Sequence, residues 1–186
     1  MNLYFDTEFT GLHKDTTLIS IGIISEEGDK FYAELTDYND EQIDDWLQKN
    51  VIDNLILTKL IDKNSRRLYK NKEDSNKYSI SCRGDIHYVS DELNKWIEQF
   101  DKVEIWSDCL AYDWVLFNHL FGHAFDLPKN IYYIPFDICT LFKIKGIDPD
   151  ISREEFINNS VEGVKHNSLY DAKVIKACYD KLMNYK

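Results

Sequence analysis

The stretch LYFDTEF, residues 3 to 9, constrains this chain more than any other. Its apolar start reads as a short buried strand, and if the strand continues to Glu8, Asp6 and Glu8 project from the same face. Two adjacent carboxylates repel unless a cation lies between them or water surrounds them. Hard oxygen ligands on a rigid sheet suit Mg²⁺ or Mn²⁺ better than softer metals. Taken alone, the pair reads as ordinary acids at a strand end. It is, however, the only D-x-E in the chain, and TGL follows it directly.

The rest of the pattern builds an α/β domain around that strand. LISIGIISEEGDKFYAEL supplies two more strands joined by a turn at Gly28, so three antiparallel strands open the fold. Helical spacing follows over residues 41 to 62, with Ile43, Trp46, Leu47, Val51, Leu55 and Ile56 available for one face and a break near Asn50 that divides it into two helices. Residues 63 to 79 are polar, locally basic and without periodicity, which predicts a loop. VSDELNKWIEQF reads as a helix capped by Ser90, KVEIWS as a strand, and AYDWVLFNHLFG as a helix closed by Gly122. The strand-like IYYIPFDI comes next, and a last helix runs from about Ser168 to Leu182. This alternation predicts a mixed sheet flanked by helices, in a single domain spanning residues 1–186.

Composition narrows the function. A formal net charge of −11 disfavours long duplexes, so any nucleic-acid contact is expected to be short, local and cation-assisted. Acidity for solubility alone is the competing explanation. Cys82, Cys109, Cys139 and Cys178 lie far apart with no C-x-x-C pair, which predicts reduced thiols rather than a zinc knuckle or disulfide framework. No apolar run approaches the roughly 18 residues of a membrane span, and no basic leader pattern follows Met1. A cytoplasmic protein is therefore expected.

Two further pieces accompany Asp6 and Glu8. In HNSLYDA, His166 precedes Asp171 with H-x4-D spacing, and Asn167 or Ser168 caps the last helix. Asp171 then falls in its first turn, with His166 on the preceding loop. In AYDWVLF, Asp113 follows Tyr112 near a helix start. Each has an ordinary explanation as a loop residue or a first-turn helix acid. The rival zinc pair His119 and His123 in HLFGH is interrupted by Gly122 and lacks a following Glu.

Together these pieces resemble the DEDDh family of 3′-to-5′ exonucleases, whose fold is RNase H-like. D-T-E-F-T-G-L at residues 6–12 is similar to its first motif, Tyr112-Asp113 to its second, and His166 with Asp171 to its third. The D-T-E-F form and the AYD motif are most similar to a small bacterial and phage exoribonuclease-like branch. Phe9 departs from the Thr common in the family. Cys109 stands where an Asn often precedes the second motif, with Asp108 beside it as a second candidate ligand; Tyr112 and the helix favour Asp113.

The resemblance implies that Asp6, Glu8, Asp113 and Asp171 hold two Mg²⁺ or Mn²⁺ ions and that His166 is the general base. It implies as substrate the 3′ ends of single-stranded nucleic acid, RNA rather than DNA, with nucleoside 5′-monophosphates as product. It further implies that Thr7, Phe9, Thr10, Leu12 and Tyr112 meet the substrate, and that the chain pairs as a homodimer. Lys63, Arg66, Arg67, Lys70 and Lys72 offer either a guide for the phosphate backbone or a solvated loop. The alternative is a catalytically silent RNase H-like module that binds nucleotides or a protein partner.

Overall fold

In the computed structural model, which describes residues 1–70 and 76–185, the first strand β1 (Asn2–Phe9) extends past both acids. It pairs antiparallel with β2 (Leu18–Ser25), which pairs antiparallel with β3 (Lys30–Leu35). A short helix α1 (Asp45–Asn50) follows and ends at the break expected near Asn50, while 3₁₀ turns at Ile52–Asn54 and Leu57–Lys59 stand where a second helix was expected. Next come β4 (Ser65–Lys70), β5 (Tyr78–Gly84), α2 (Ile86–Ile97), β6 (Glu104–Ser107) and α3 (Ala111–Leu120). The chain ends with β7 (Phe136–Asp137), α4 (Ile138–Ile144), α5 (Arg153–Phe156) and α6 (Ser168–Met183). The strands form one mixed sheet in the order β4-β5-β3-β2-β1-β6-β7. Among the described residues no helix is long and apolar enough to cross a membrane.

Three local expectations need correction. The region expected to be a loop, residues 63 to 79, contains β4 and the start of β5. As an edge strand, β4 is exposed from Arg66 to Lys70 and is held by backbone pairing with β5, so it has no buried face to write a hydrophobic period. Arg66 binds Glu92 and Arg67 donates to the Leu60 carbonyl, whereas Lys72 of the same basic stretch lies outside the described residues. The second helix begins four residues before Ser90, because Asp85 accepts the Tyr88 amide and caps it. Finally, IYYIPFDI yields only the two residues of β7 and an isolated bridge from Val103 to Ile131.

The sheet separates two cores, and this division positions the site. Leu3 and Phe5 face α2 and α3, where Trp96, Leu116 and Phe117 pack against them. Tyr4 and Ile24, on the other face, meet α4 to α6 through Phe142, Phe156, Ala172, Ile175 and Cys178. By the strand's period of two, Asp6 and Glu8 continue the Tyr4 face and so look toward α6.

The start of α6 rests on β2 at Gly22, the register partner of Asp6. A Cβ there would lie 2.2 Å from the Leu169 nitrogen and 2.3 Å from the Ser168 carbonyl carbon, both backbone atoms. Beside it, Ser20 and Ser168 share a buried hydrogen bond of 3.0 Å. Gly22→Ala is therefore expected to push α6 away from the sheet and lower Tm by about 5 °C. Thermal melting checks this; an unchanged Tm would show that the helix docks more loosely than this contact requires.

Candidate active site

Where β1 and β6 part company the sheet opens. Their parallel pairing covers Asn2 to Tyr4, so among the described residues the β6-facing edge of β1 beyond Tyr4 has no strand partner. The first turn of α3 fills that gap: Asp113 accepts the Thr7 amide at 3.0 Å and the Thr7 hydroxyl, both on Oδ1. A crevice beyond the carboxyl ends of diverging strands is where open α/β sheets place ligands.

On the other face of β1, the first turn of α6 brings Asp171 to Asp6 and Glu8. Ligand oxygens of these three acids all lie within 4.8 Å of one another. Asn167 caps the helix, accepting the Tyr170 amide at 3.3 Å, and the Asp171 amide bonds the Asn167 carbonyl at 3.0 Å. His166 precedes the cap with φ at +62°, in the left-handed region, and lines the same cleft. The cleft has a volume of about 310 Å³ and is lined by Asp6, Thr7, Glu8, Phe9, His166 and Asp171, with Asp108, Arg153 and Lys165 among its other walls.

Burial and mutual repulsion set the electrostatics here. Asp6 is raised well above the ordinary carboxylate range, first by burial, then by Asp113, Glu8 and Asp171. Glu8 is pushed up to about 8 by burial and by Asp171 and Asp113. Asp171 rises to about 7 through burial, against the opposing pull of backbone amides, and Asp113 to about 6, held back by its two bonds from Thr7. The His166 imidazole is lowered by burial and then by Lys165, which favours its neutral form at neutral pH. Carboxyls crowded until they hold protons form a donor set that divalent cations fit, because a cation replaces those protons.

Asp108 is differently engaged. Arg153 grips it through two hydrogen bonds of 2.6 and 3.0 Å, and the Cys139 thiol donates to it at 2.9 Å. Its charge is matched by Arg153, whereas among the described residues the donors to Asp113 are the neutral amide and hydroxyl of Thr7. Asp108 also belongs to a second group of potential ligands with Asp137 and Cys139. Asp137 is occupied as the cap of α4, accepting the Cys139 amide at 3.0 Å.

The substrate-facing residues expected from sequence fall into two sets. Thr7 and Phe9 line the cleft, and the Phe9 ring stacks on Tyr112 at 5.4 Å. Thr10 is buried and anchors the β1–β2 connection, accepting the Thr17 amide at 2.8 Å, while Leu12 is 78% exposed. Thr10, Leu12 and Tyr112 do not line the cleft. His119 lies in the last turn of α3 while His123 lies beyond Gly122, at φ +82°, and accepts the Phe125 amide, so the two do not share a helix face.

Sequence reading missed Arg153, Lys165 and Trp46. The indole of Trp46 meets the His166 ring edge-on, with centroids 5.0 Å apart. Trp46 stood out only as an apolar position on a helix, and nothing local tied it to His166.

Comparison with known proteins follows the same line. The family model for the 3′-5′ exoribonuclease Rv2179c-like domain matches residues 1–183. The 3′-5′ exoribonuclease Rv2179c of Mycobacterium tuberculosis strain H37Rv is 25% identical over 146 residues, 78% of this chain and 76% of that protein. Its counterpart in strain CDC 1551 matches equally. Among solved structures, Pop2p of S. pombe in its Mg²⁺- and Mn²⁺-bound form superposes with a TM-score of 0.57 at 16% identity, covering 98% of this chain and 82% of that one. The Pan2 catalytic unit of Neurospora crassa gives 0.55 at 15% identity, over 99% of this chain and 27% of that one. These likenesses establish the RNase H-like fold.

Proposed function

The chain belongs to the Rv2179c-like 3′-5′ exoribonuclease family, a family of hydrolases acting on RNA, and from that premise we propose how its cleft removes nucleotides. Asp6, Glu8 and Asp171, helped by Asp113, hold two divalent cations, Mg²⁺ or Mn²⁺. The observation that carries this is the meeting of three carboxylates from β1 and α6 within 4.8 Å, beside a neutral-leaning imidazole. When bound, such ions supply Lewis acidity for the attacking water and for charge on the departing oxygen.

The chain's own groups do the rest. His166 accepts a proton from water aligned with the 3′-terminal phosphodiester, which suits an imidazole kept neutral at neutral pH. Thr7 and Phe9 bound the space for the terminal nucleotide, and exposed Leu12 at the end of the first motif wedges against a base. The Asp113 carboxylate fixes the backbone of Thr7 between the two ligand-bearing residues of β1. Single-stranded RNA is the preferred substrate over DNA, and nucleoside 5′-monophosphates are the product.

The test uses 3′- and 5′-labelled single-stranded RNA and DNA with Mg²⁺ or Mn²⁺. Stepwise loss of the 3′ label from RNA, faster than from DNA, is expected. Mn²⁺ should raise Tm and EDTA should reverse the rise. Degradation from the 5′ end, or a Tm indifferent to Mn²⁺, would sink the proposal.

A further inference from the structure

A buried chain of hydrogen bonds runs from the loop before α6 along one face of the sheet to a distant segment. Asn167, next to His166 and 8% exposed, donates through Nδ2 to the Tyr32 hydroxyl at 3.3 Å. Tyr32 donates in turn to Glu34 Oε1 at 2.9 Å, and both lie on the same face of β3. Glu34, fully buried, gathers four more donors. Its Oε1 accepts the amides of Ile56 and Leu57 at 2.6 and 2.7 Å, and its Oε2 accepts the amide and hydroxyl of Thr58 at 2.7 and 2.8 Å.

This carboxylate therefore fixes two things at once. Through Tyr32 it holds Asn167, and through residues 56 to 58 it holds the segment that follows α1. Leu47 of α1, with Val51 and Leu55 that lead from α1 to that segment, packs on Ile19, and α1 itself carries Trp46 to the edge of the His166 ring. His166 and Asn167 are thus both referred to Glu34. A non-glycine residue in the left-handed region stays there only when its surroundings over-determine it. Burial, followed by the neighbouring Glu34 charge, holds the Tyr32 hydroxyl protonated far above its usual range, so it persists as the donor in the middle of the chain.

We propose that Tyr32 is a positioning residue for the exonuclease reaction, relaying the fixed Glu34 carboxylate to Asn167 and so setting where the His166 imidazole sits relative to the carboxylates of β1. The inference rests on the reading of His166 as general base. Tyr32 touches neither substrate nor reacting atoms; it acts on the geometry of the residue that does. Misplacing a reacting group by about an ångström costs roughly a hundredfold in rate, while binding of the rest of the substrate is untouched.

The experiment compares Tyr32→Phe with Thr58→Val in the metal-loaded enzyme on 3′-labelled RNA. Both remove one hydroxyl donor from Glu34, but only the first cuts the link to Asn167. Tyr32→Phe is expected to lower kcat roughly ten- to hundredfold with KM within about twofold. Thr58→Val, with a similar fall in Tm, should retain the parent kcat. Asn167→Ser keeps an N-cap oxygen but is too short to reach Tyr32, and combined with Tyr32→Phe it should add little to the single loss. The His166 Cε1–H NMR resonance, assigned by its absence in His166→Ala, gives a readout independent of turnover. It should shift or broaden in Tyr32→Phe and not in Thr58→Val. Parent-like kcat in Tyr32→Phe, equal losses in both variants, or an unmoved His166 resonance overturns the proposal. If the parent itself fails to degrade RNA, the reading of the site fails, and the resonance still decides whether Tyr32 positions His166.

Discussion

Asp6→Asn should lower kcat by more than about a thousandfold and, at the same time, make the metal-free protein more stable. The first effect follows from losing one of the carboxylates proposed to hold the cations, the acid whose neighbours include Asp113, Glu8 and Asp171. The second follows from the same crowding. A carboxyl whose folded pKa lies above its unfolded value of about 4 keeps protons that the unfolded chain gives up, so stability falls as pH rises between those values. With Glu8 at about 8 and Asp171 at about 7, the metal-free parent should gain Tm as pH is lowered from about 8 toward 5. Asn at position 6 removes part of that repulsion. The expected gain at pH 7.5 is ~1 kcal/mol or more, or about 2–4 °C for a chain of this size. Excess Mn²⁺ should flatten the parent's pH dependence. Melting curves across pH with Mn²⁺ or EDTA, alongside turnover of 3′-labelled RNA, measure both effects. A variant that loses activity and also melts lower without metal would mean that Asp6 is satisfied in the free protein.

For His166→Ala the expectation is a fall in kcat on the order of 10²–10⁴, with KM and the Mn²⁺-induced rise in Tm retained. The imidazole stands beside the carboxylates without belonging to the trio, so its removal should spare cation binding. Burial and Lys165 lower its pKa, so the acid limb of the parent's kcat profile should lie below the usual histidine value and vanish in the variant. Turnover at the parent rate would remove His166 from the mechanism; loss of the Mn²⁺ response would make it a ligand instead.

Much of this site is legible in the chain because its parts obey short periods. D-x-E on a strand places Asp6 and Glu8 on one face, and H-x4-D across a helix cap puts His166 and Asp171 at the same end of one element. The three opening strands were readable as short apolar, β-rich runs, with a glycine turn joining the second and third. The hidden parts are those without a local pattern. Edge strand β4 buries no face, Arg153 is one basic residue on a short helix, and Trp46 resembles any apolar helix position. Tyr32 and Glu34 alternate with Phe31, Ala33 and Leu35, which marks a polar face on β3 without saying what it meets.

The sequence by itself determined the kinds of chemistry available: a pair of strand carboxylates, two helix-start acids and a histidine on a loop, in an α/β frame. Tertiary structure decided how they combine. The divergence of β1 from β6 beyond Tyr4 opened the gap that Asp113 closes, and the absent side chain of Gly22 let α6 approach until Asp171 met Asp6. Long-range contacts also gave Asp108 its ion pair with Arg153 and Asp113 its two hydrogen bonds from Thr7. Each of these depends on contacts between residues far apart in the chain, set by strand order and helix docking. Side-chain periodicity reports which face a residue occupies, whereas only the packed fold determines what lies opposite that face.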